Sequence, residues 1–341
     1  MAKIEIISGG VQSLIQDLGR VSFQKMGMPV TGVMDNYAAR CANILVDNPE
    51  NAALIESALL GPEIKFLDRN LIAITGANML AEINGVKIKN WKSYLVNSGD
   101  ILKLHYAAVG MRSYIAFSGG IDVPLLMGSY STYLKGSIGG FNGRALKSGD
   151  MLSTHGCTEH RIKEMYAGYI PAYSNQICLR AVPGPHTDFF SADGYELFFA
   201  QTYTVDARSD RMGIFLQGSP IDFKNETADI LSSAILMGSI QVTNDATPVI
   251  LMADCQTTGG YAQIATVISA DLPKIAQAKA GDKISFKSIS VHEAQNIYKE
   301  YEQKIITIKA QLGSGLIAKS SHTKNLKLNG NAYRAIIEEV I

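Results

Sequence analysis

The chain has 341 residues, of which 47% are hydrophobic and 18% are charged, so it is long enough for two domains with well-buried cores. Lys plus Arg and Asp plus Glu each total 31, and this balance gives no general attraction to nucleic acid or to an anionic membrane. No apolar run has the length of a membrane span, and the first residues lack the pattern of a signal peptide. We therefore expect a cytoplasmic protein with no nucleic-acid partner and no membrane partner.

Short apolar segments between glycine turns dominate the first half and predict strands. A helix is predicted first, over residues 36–46, with Asp35 as its N-cap. A buried strand over residues 71–76 follows, and Asn84 and Gly85 are typical of a type I′ hairpin turn because both accept a positive φ. Further strands are predicted over residues 101–105 and 112–117.

The C-terminal part begins with a helix signal. Ser290 and Glu293 form a capping box, and apolar residues then recur at helical spacing as far as Leu312. Residues 325–333 predict a closing hairpin. We expect the apolar stripe of the helix to pack on a core.

A weak internal repeat indicates two related β domains in tandem. Residues 56–66 resemble residues 232–242, and residues 98–104 resemble residues 280–286 in the same order. The irregular stretch over residues 166–175 marks the boundary. The predicted domains are residues 1–170 and residues 171–341.

Three polar, glycine-rich clusters interrupt the strands and are the candidate ligand-binding segments. The first contains Gln16, Asp17, Arg20 and Asp35. The second contains Gly119, Gly120, Ser129, Ser131, Thr132 and Arg144. The third contains Arg211, Asp254, Gln256, Thr257, Gly259, Gly260 and Tyr261. For each cluster, a set of β-turns with structural polar residues stays open as the alternative.

The side chains of these clusters suit a small polar ligand. Arg20, Arg144 and Arg211 can each hold a carboxylate through two parallel hydrogen bonds. Backbone N–H groups of the paired glycines can stabilise negative charge on an oxygen. Asp35 or Asp254 can polarise a proton-bearing group.

Metal and thiol chemistry have weaker signals. His155, Cys157 and His160 fit no standard zinc spacing, so we predict no metal site. Cys255 lies in the third cluster without a sign of an activating histidine, and it is predicted to be a packing residue.

These segments resemble, in order, the motifs of one known family, which includes biotin-dependent carboxyltransferases, allophanate hydrolase subunit 2, KipA and the C-type subunit of 5-oxoprolinase. The family's QDxGR and GxPxSGxMD segments correspond to residues 16–20 and 27–35, with Thr31 in place of serine. Further matches are residues 119–124, 128–133, 139–150, 183–185, 209–213, 238–242 and 256–261. The match at 238–242 adds Gln241 to the substrate-binding candidates.

The resemblance implies a mainly β fold of two tandem cyclophilin-like β-barrel domains with a few helices. It implies a subunit of an ATP-hydrolysing 5-oxoprolinase, which converts 5-oxo-L-proline into L-glutamate together with an A subunit and a KipI-like B subunit. ATP is then a cofactor of the whole complex. The catalytic candidates are Asp35, Arg144, Arg211 and Asp254, and the other cluster residues are substrate-binding candidates.

Two other functions and one assembly state stay open. A biotin-dependent carboxyltransferase would act on urea or a related amide and would use biotin. A KipA-like regulator would bind a KipI-like kinase inhibitor without catalysis. A homodimer is also compatible with the sequence.

Overall fold

The computed structural model describes residues 1–156, 161–224, 227–313, 316–328 and 331–340. The chain divides into two compact units. Unit 1 contains Met1–Gly19, Asn36–Ala172 and Ile305–Ile341, and unit 2 contains Arg20–Asp35 and Tyr173–Lys304. Cys157 and His160, considered above as metal-capable residues, lie outside the described residues.

The units differ from a division into residues 1–170 and 171–341 in two longer segments, and unit 1 also extends to Ala172. Residues 20–35 belong to unit 2, where Met34 lies in the hydrophobic core. Residues 305–341 belong to unit 1, where Ile336 packs against the core. Both segments therefore join the unit in which their apolar side chains are buried.

Unit 1 consists mainly of strands, most of which form two larger sheets. Its elements in chain order are β1 (Ala2–Ser8), β2 (Gln12–Gln16), α1 (Asn36–Leu45), β3 (Leu54–Ala58), β4 (Glu63–Phe66), β5 (Asn70–Asn78), β6 (Glu82–Ile83), β7 (Val86–Lys87), β8 (Lys92–Val96), β9 (Ile101–Lys103), β10 (Val109–Phe117), β11 (Met151–Thr154) and β12 (Arg161–Ile162). One sheet has the order β11-β1-β4-β9-β6-β7, and the other has the order β2-β3-β10-β5-β8. In β1, Ile4 and Ile6 point into the core while Lys3 is exposed, which is the alternation expected of a sheet with one solvated face.

The predicted helix and hairpin turn of unit 1 are present, while the strand predicted over residues 101–105 ends at Lys103. Helix α1 starts directly after Asp35. Asn84 and Gly85 join β6 to β7 with φ values of 52° and 74°, as a type I′ turn requires.

Unit 2 contains a closed seven-stranded barrel. Its elements are β13 (Gln176–Pro183), α2 (Ala192–Ala200), β14 (Tyr203–Val205), β15 (Gly213–Gln217), β16 (Asp229–Ala234), β17 (Ser239–Val242), β18 (Pro248–Leu251), β19 (Thr258–Tyr261), β20 (Gln263–Val267), α3 (Leu272–Ala276), β21 (Lys283–Ser288) and the start of α4 (Val291–Leu312). The barrel order is β13-β20-β17-β18-β15-β14-β21, and the parallel pair β13–β21 closes it. Phe198 of α2 stacks on Phe286 at 4.7 Å between ring centroids, so α2 contributes to the barrel core.

Helix α4 has the predicted capping box. Ser290 N–H donates to Glu293 Oε2 at 2.8 Å, and Glu293 N–H donates back to Ser290 Oγ at 3.2 Å. The predicted apolar stripe is buried only towards the end of the helix, whereas Val291 and Tyr298 in its first half are 60% and 45% exposed. Strands β22 (Leu316–Leu328) and β23 (Asn331–Val340) then form the predicted hairpin.

The mainly β fold with few helices is therefore confirmed, and the barrel of unit 2 is its most regular part. None of the described helices combines the length and the apolarity that crossing a membrane requires.

Candidate functional site

The candidate residues divide between the two units. Unit 1 carries Gln16, Asp17, Gly119, Gly120, Ser129, Ser131, Thr132 and Arg144. Unit 2 carries Arg20, Asp35, Arg211, Gln241, Asp254, Gln256, Thr257, Gly259, Gly260 and Tyr261. Unit 2 also contains a cavity that residues of the first and third sequence clusters line together.

One wall of this cavity belongs to the 29–32 loop, and two buried arginines hold that loop. Arg20 donates from Nη1 to Thr31 Oγ1 at 2.7 Å and from its backbone N–H to Val30 O at 2.8 Å. Arg211 donates from Nη2 to Gly32 O at 2.6 Å. Thr31 has a φ of 57°, and a β-branched residue in this left-handed region carries about 1–3 kcal/mol of strain. The loop therefore needs these contacts to keep its shape.

The guanidinium that holds Gly32 is also paired with a carboxylate. Arg211 donates from Nε and Nη2 to the two carboxylate oxygens of Asp254, both at 2.9 Å. The side chains of Arg211 and Asp254 are only 5% and 6% exposed. The backbone N–H of Asp254 also donates to Arg211 O at 2.8 Å, so the pair is fixed through both backbone and side chains.

The cavity has a volume of about 220 Å³. Its described lining residues are Gln24, Pro29, Val30, Thr31, Ile235, Leu236, Met237, Ala253, Cys255, Gln256 and Thr257. All of these side chains are uncharged, and most are apolar. Because pockets for drug-sized ligands measure roughly 300–1,000 Å³, the cavity suits a smaller group that carries few polar atoms.

The thiol in this cavity is inert at neutral pH. Burial, and secondarily the nearby Asp254 charge, raises the pKa of Cys255 to about 11. Cys255 is 7% exposed and therefore stays protonated, whereas nucleophilic cysteines need a stabilised thiolate. Its packing role agrees with the interpretation from the sequence.

Similarity to known proteins identifies the family. A family model described as carboxyltransferase domain, subdomain A and B, matches residues 26–288. The chain belongs to this family. The family resemblance read from the motifs is thus confirmed over most of the chain.

The relatives of this carboxyltransferase-domain chain have two kinds of name. A relative from Haemophilus influenzae, named as the C-type subunit of 5-oxoprolinase, is 36% identical over 299 residues, covering 88% of this chain and 95% of the relative. The relative of the same name from Escherichia coli is 37% identical, with coverages of 85% and 93%. The crystal structure of the Kluyveromyces lactis urea carboxylase matches with a TM-score of 0.86 and 29% identity over 90% of this chain, which spans only 29% of that protein.

The first motif of the family also builds a separate polar cluster in unit 1. The buried carboxylate of Asp17 accepts hydrogen bonds from Gly19 N–H at 2.8 Å, Ser129 Oγ at 2.6 Å and Tyr130 N–H at 2.7 Å. Ser131 Oγ donates to the same carboxylate. Asp17 therefore fixes the backbone around these serines, as a carboxylate with several donors does.

Neighbouring polar residues of unit 1 support the same arrangement. Gln16 donates from Nε2 to Thr132 O at 3.1 Å, and Thr132 Oγ1 donates to Ile15 O at 2.9 Å. Oε1 of Gln16 is buried and lacks a hydrogen-bond partner among the described residues. These contacts join β2 to the 129–132 segment.

The glycine pair of unit 1 uses its N–H groups internally. Gly119 N–H donates to Asn48 Oδ1 at 2.8 Å, and Gly120 N–H donates to Phe117 O at 2.8 Å. Both glycines have positive φ values, 80° and 77°, which a tight turn requires. In this structure both amides hold the turn together and do not point at a free anion site.

Arg144 has a local carboxylate partner. It donates from Nη1 and Nη2 to the two oxygens of Asp150, both at 2.7 Å, and it lies over the Phe141 ring at 5.2 Å. This guanidinium holds the pKa of the Asp150 carboxyl below its usual range. The Arg144 side chain is 35% exposed.

The remaining candidates of unit 2 are also engaged. Asp35 is fully buried and accepts from Gln277 Nε2 at 2.8 Å. Gln241 donates from Nε2 to Tyr261 O at 3.0 Å. A Cβ at Gly259 would lie 2.6 Å from that nitrogen, so a larger residue there would require the Gln241 side chain to shift.

Sequence reasoning missed part of the cavity lining. The missed residues are Gln24, Ile235, Leu236, Met237 and Ala253. Residues 235–237 lie inside one copy of the internal repeat, which was interpreted only as a sign of fold. Their position in a repeat close to the third polar cluster is the signal that could have identified them as lining residues.

Proposed function

We propose that this chain is the C-type subunit of a 5-oxoprolinase and acts with an A subunit and a KipI-like B subunit in the cytoplasm. The complex opens the lactam of 5-oxo-L-proline to L-glutamate at the expense of ATP, so it is a hydrolase acting on a cyclic amide. The observation that carries the proposal is the match to 95% and 93% of the length of two relatives that bear the name of this 5-oxoprolinase subunit. Nucleotide binding is assigned to the complex as a whole.

The unit 2 cavity is the proposed site for the lactam ring. Its apolar lining suits ring methylenes, while Thr31, Gln256 and Thr257 carry groups that can hydrogen-bond a lactam N–H and carbonyl. Asp35 and Arg144 stay candidates for acid–base and charge-stabilising roles, whereas the side chains of Arg211 and Asp254 are bound to each other. ATP would supply the free energy and the activating group for opening a stable amide.

The test is ATP-dependent release of glutamate from 5-oxo-L-proline by the three purified subunits. We expect release only when this chain is present. Gln256→Leu removes one polar lining group and should lower kcat/KM several-fold, since one hydrogen bond contributes about 0.5–1.5 kcal/mol. Gln295→Leu, an exposed glutamine of α4 outside the cavity, is the matched control. No glutamate release by the complete complex would overturn the proposal.

A second candidate function is biotin-dependent carboxyl transfer to urea or a related amide. The TM-score of 0.86 to a urea carboxylase supports it. The small uncharged cavity also fits a neutral ring that bears a urea-type amide, so its lining residues would hold the biotin ring. Transfer of labelled bicarbonate from a separate biotinylated carrier to urea would favour this function. Tight binding of a KipI-like protein without either reaction would favour a regulatory role.

A further inference from the structure

The cavity of unit 2 has two walls that are distant in sequence. The 29–31 segment forms one wall, and residues 253 and 255–257 contribute to another. Cys255 and Gln256 of the second wall are the two residues that follow Asp254. Thr31 of the first wall directly precedes Gly32. Asp254 and Gly32 are the two groups that the Arg211 guanidinium binds.

The loop wall has a shape that it would not keep alone. Thr31 and Gly32 have φ values of 57° and 89°, and strain at Thr31 persists only where surrounding contacts impose it. Arg211 holds the carbonyl of Gly32, and Arg20 holds the hydroxyl of Thr31. The strained loop is therefore held by two arginines, one at Thr31 and the other at Gly32.

The ion pair itself lies behind the cavity surface. Arg211 and Asp254 are 5% and 6% exposed, and the described lining residues are all uncharged. A ligand in the cavity would meet neutral side chains, while Nε and Nη2 of Arg211 already donate to Asp254 and Gly32. This arrangement differs from a guanidinium that waits for a substrate carboxylate.

We propose that Arg211 and Asp254 are positioning residues, which hold the two walls of the cavity at the separation that fits an uncharged lactam ring. The pair touches neither the ring nor the carboxylate of the substrate. The proposal rests on the proposed function for the identity of the ligand, and on the described contacts for the role of the pair.

The kinetic test uses the complete complex and two lactams. Arg211→Lys keeps the charge but loses the planar fork that binds Asp254 and Gly32 together. We expect KM for 5-oxo-L-proline and the inhibition constant of 2-pyrrolidone, a lactam without the carboxylate, to rise by the same factor, about tenfold to a hundredfold. Arg208→Lys is the matched control, because Arg208 pairs with Asp206 in its own loop, is 64% exposed and does not line the cavity.

A second readout does not require activity. Cys255 lies in the wall that the pair fixes and is 7% exposed, so its alkylation by iodoacetamide reports opening of the cavity. We expect Cys255 to be alkylated at least tenfold faster in Arg211→Lys than in the wild type, as measured by peptide mass spectrometry. The rate in Arg208→Lys should equal that of the wild type. Asp254→Asn keeps the shape of the side chain and replaces Arg211→Lys if that variant does not fold. Since the Asp254 charge itself raises the pKa of Cys255, alkylation in Asp254→Asn is compared as the rate per thiolate taken from the pH profile, and that rate should rise in the same way.

Two results would overturn the proposal. A rise in KM for 5-oxo-L-proline with unchanged inhibition by 2-pyrrolidone would mean that Arg211 binds the carboxylate. Unchanged alkylation of Cys255 in both folded variants would mean that the pair does not hold the walls. If the wild-type complex releases no glutamate, the proposed function fails, and the alkylation result alone decides the positioning role.

Discussion

A bidentate arginine–aspartate pair of unit 1 and one of unit 2 connect parts of the chain over very different sequence separations. Arg144 and Asp150 are six residues apart, and the Arg144 side chain is 35% exposed. Arg211 and Asp254 are 43 residues apart and almost completely buried, and Arg211 also binds Gly32, which is 179 residues away. The first pair closes one loop, whereas the second joins three segments of chain.

This difference shows that motif residues of the same type can have different structural roles. In the local pair Asp150 is only 7% exposed but Arg144 is 35% exposed, so water can still solvate the guanidinium when the two ions separate. A buried pair has already lost its hydration, so removing one partner leaves an uncompensated charge inside the protein. Sequence separation and burial together therefore tell which pair the fold depends on.

The largest expected effect follows from breaking the buried pair completely. Asp254→Ala leaves the Arg211 guanidinium buried with Gly32 O as a neutral acceptor, and it should lower the free energy of unfolding by about 3–5 kcal/mol. Asp150→Ala should cost less, about 1–2 kcal/mol, because the Arg144 guanidinium that it leaves behind is 35% exposed and can be solvated by water. Urea unfolding of both variants measures the comparison. Equal losses would show that burial does not separate the two pairs.

The next effect is a pH dependence in the local pair of Arg144 and Asp150. Arg144 lowers the pKa of Asp150 in the folded state, so the carboxylate contributes stability above its unfolded pKa of about 3.9. That contribution is lost as pH falls from about 4 through the lower folded pKa. The difference in unfolding free energy between the wild type and Asp150→Asn should therefore shrink below about pH 4. A difference that is constant from about pH 7 to about pH 2.5 would contradict the assignment.

The sequence predicted elements wherever local chemistry decides the conformation. The turn at Asn84 and Gly85 and the capping box at Ser290 follow from residues within a few positions of one another. Both copies of the internal repeat also form strand–turn–strand segments, ending in β4 and β17. Helix α2 was missed, although Ser191 accepts from Gly194 N–H as its N-cap, because its stabilisation comes from packing Phe198 on the barrel.

The site was predictable only as a set of residues. The motifs identified Arg211, Asp254 and the segment containing Thr31, but no local pattern says which acceptor a guanidinium binds across 179 residues. The sequence interpretation gave the arginines a role as ligand clamps, since free guanidinium chemistry allows it. The carboxylate for Arg144 comes from Asp150, six residues away, whereas tertiary folding brings Asp254 to Arg211 across 43 residues.

The smallest expected effect tests the neutral cavity that the buried pair supports. Cys255→Ala should change kcat/KM less than about twofold, because a thiol with a pKa of about 11 is protonated at neutral pH and serves as a small packing group. The free energy of unfolding should fall by about 1 kcal/mol, as expected for removing one small buried group. The wild-type rate of alkylation at Cys255 should keep rising with pH up to about 11, while the exposed Cys178 provides the internal reference. A large loss of activity in Cys255→Ala, or alkylation that reaches its plateau near neutral pH, would mean that the cavity stabilises a thiolate and that its interior is not neutral.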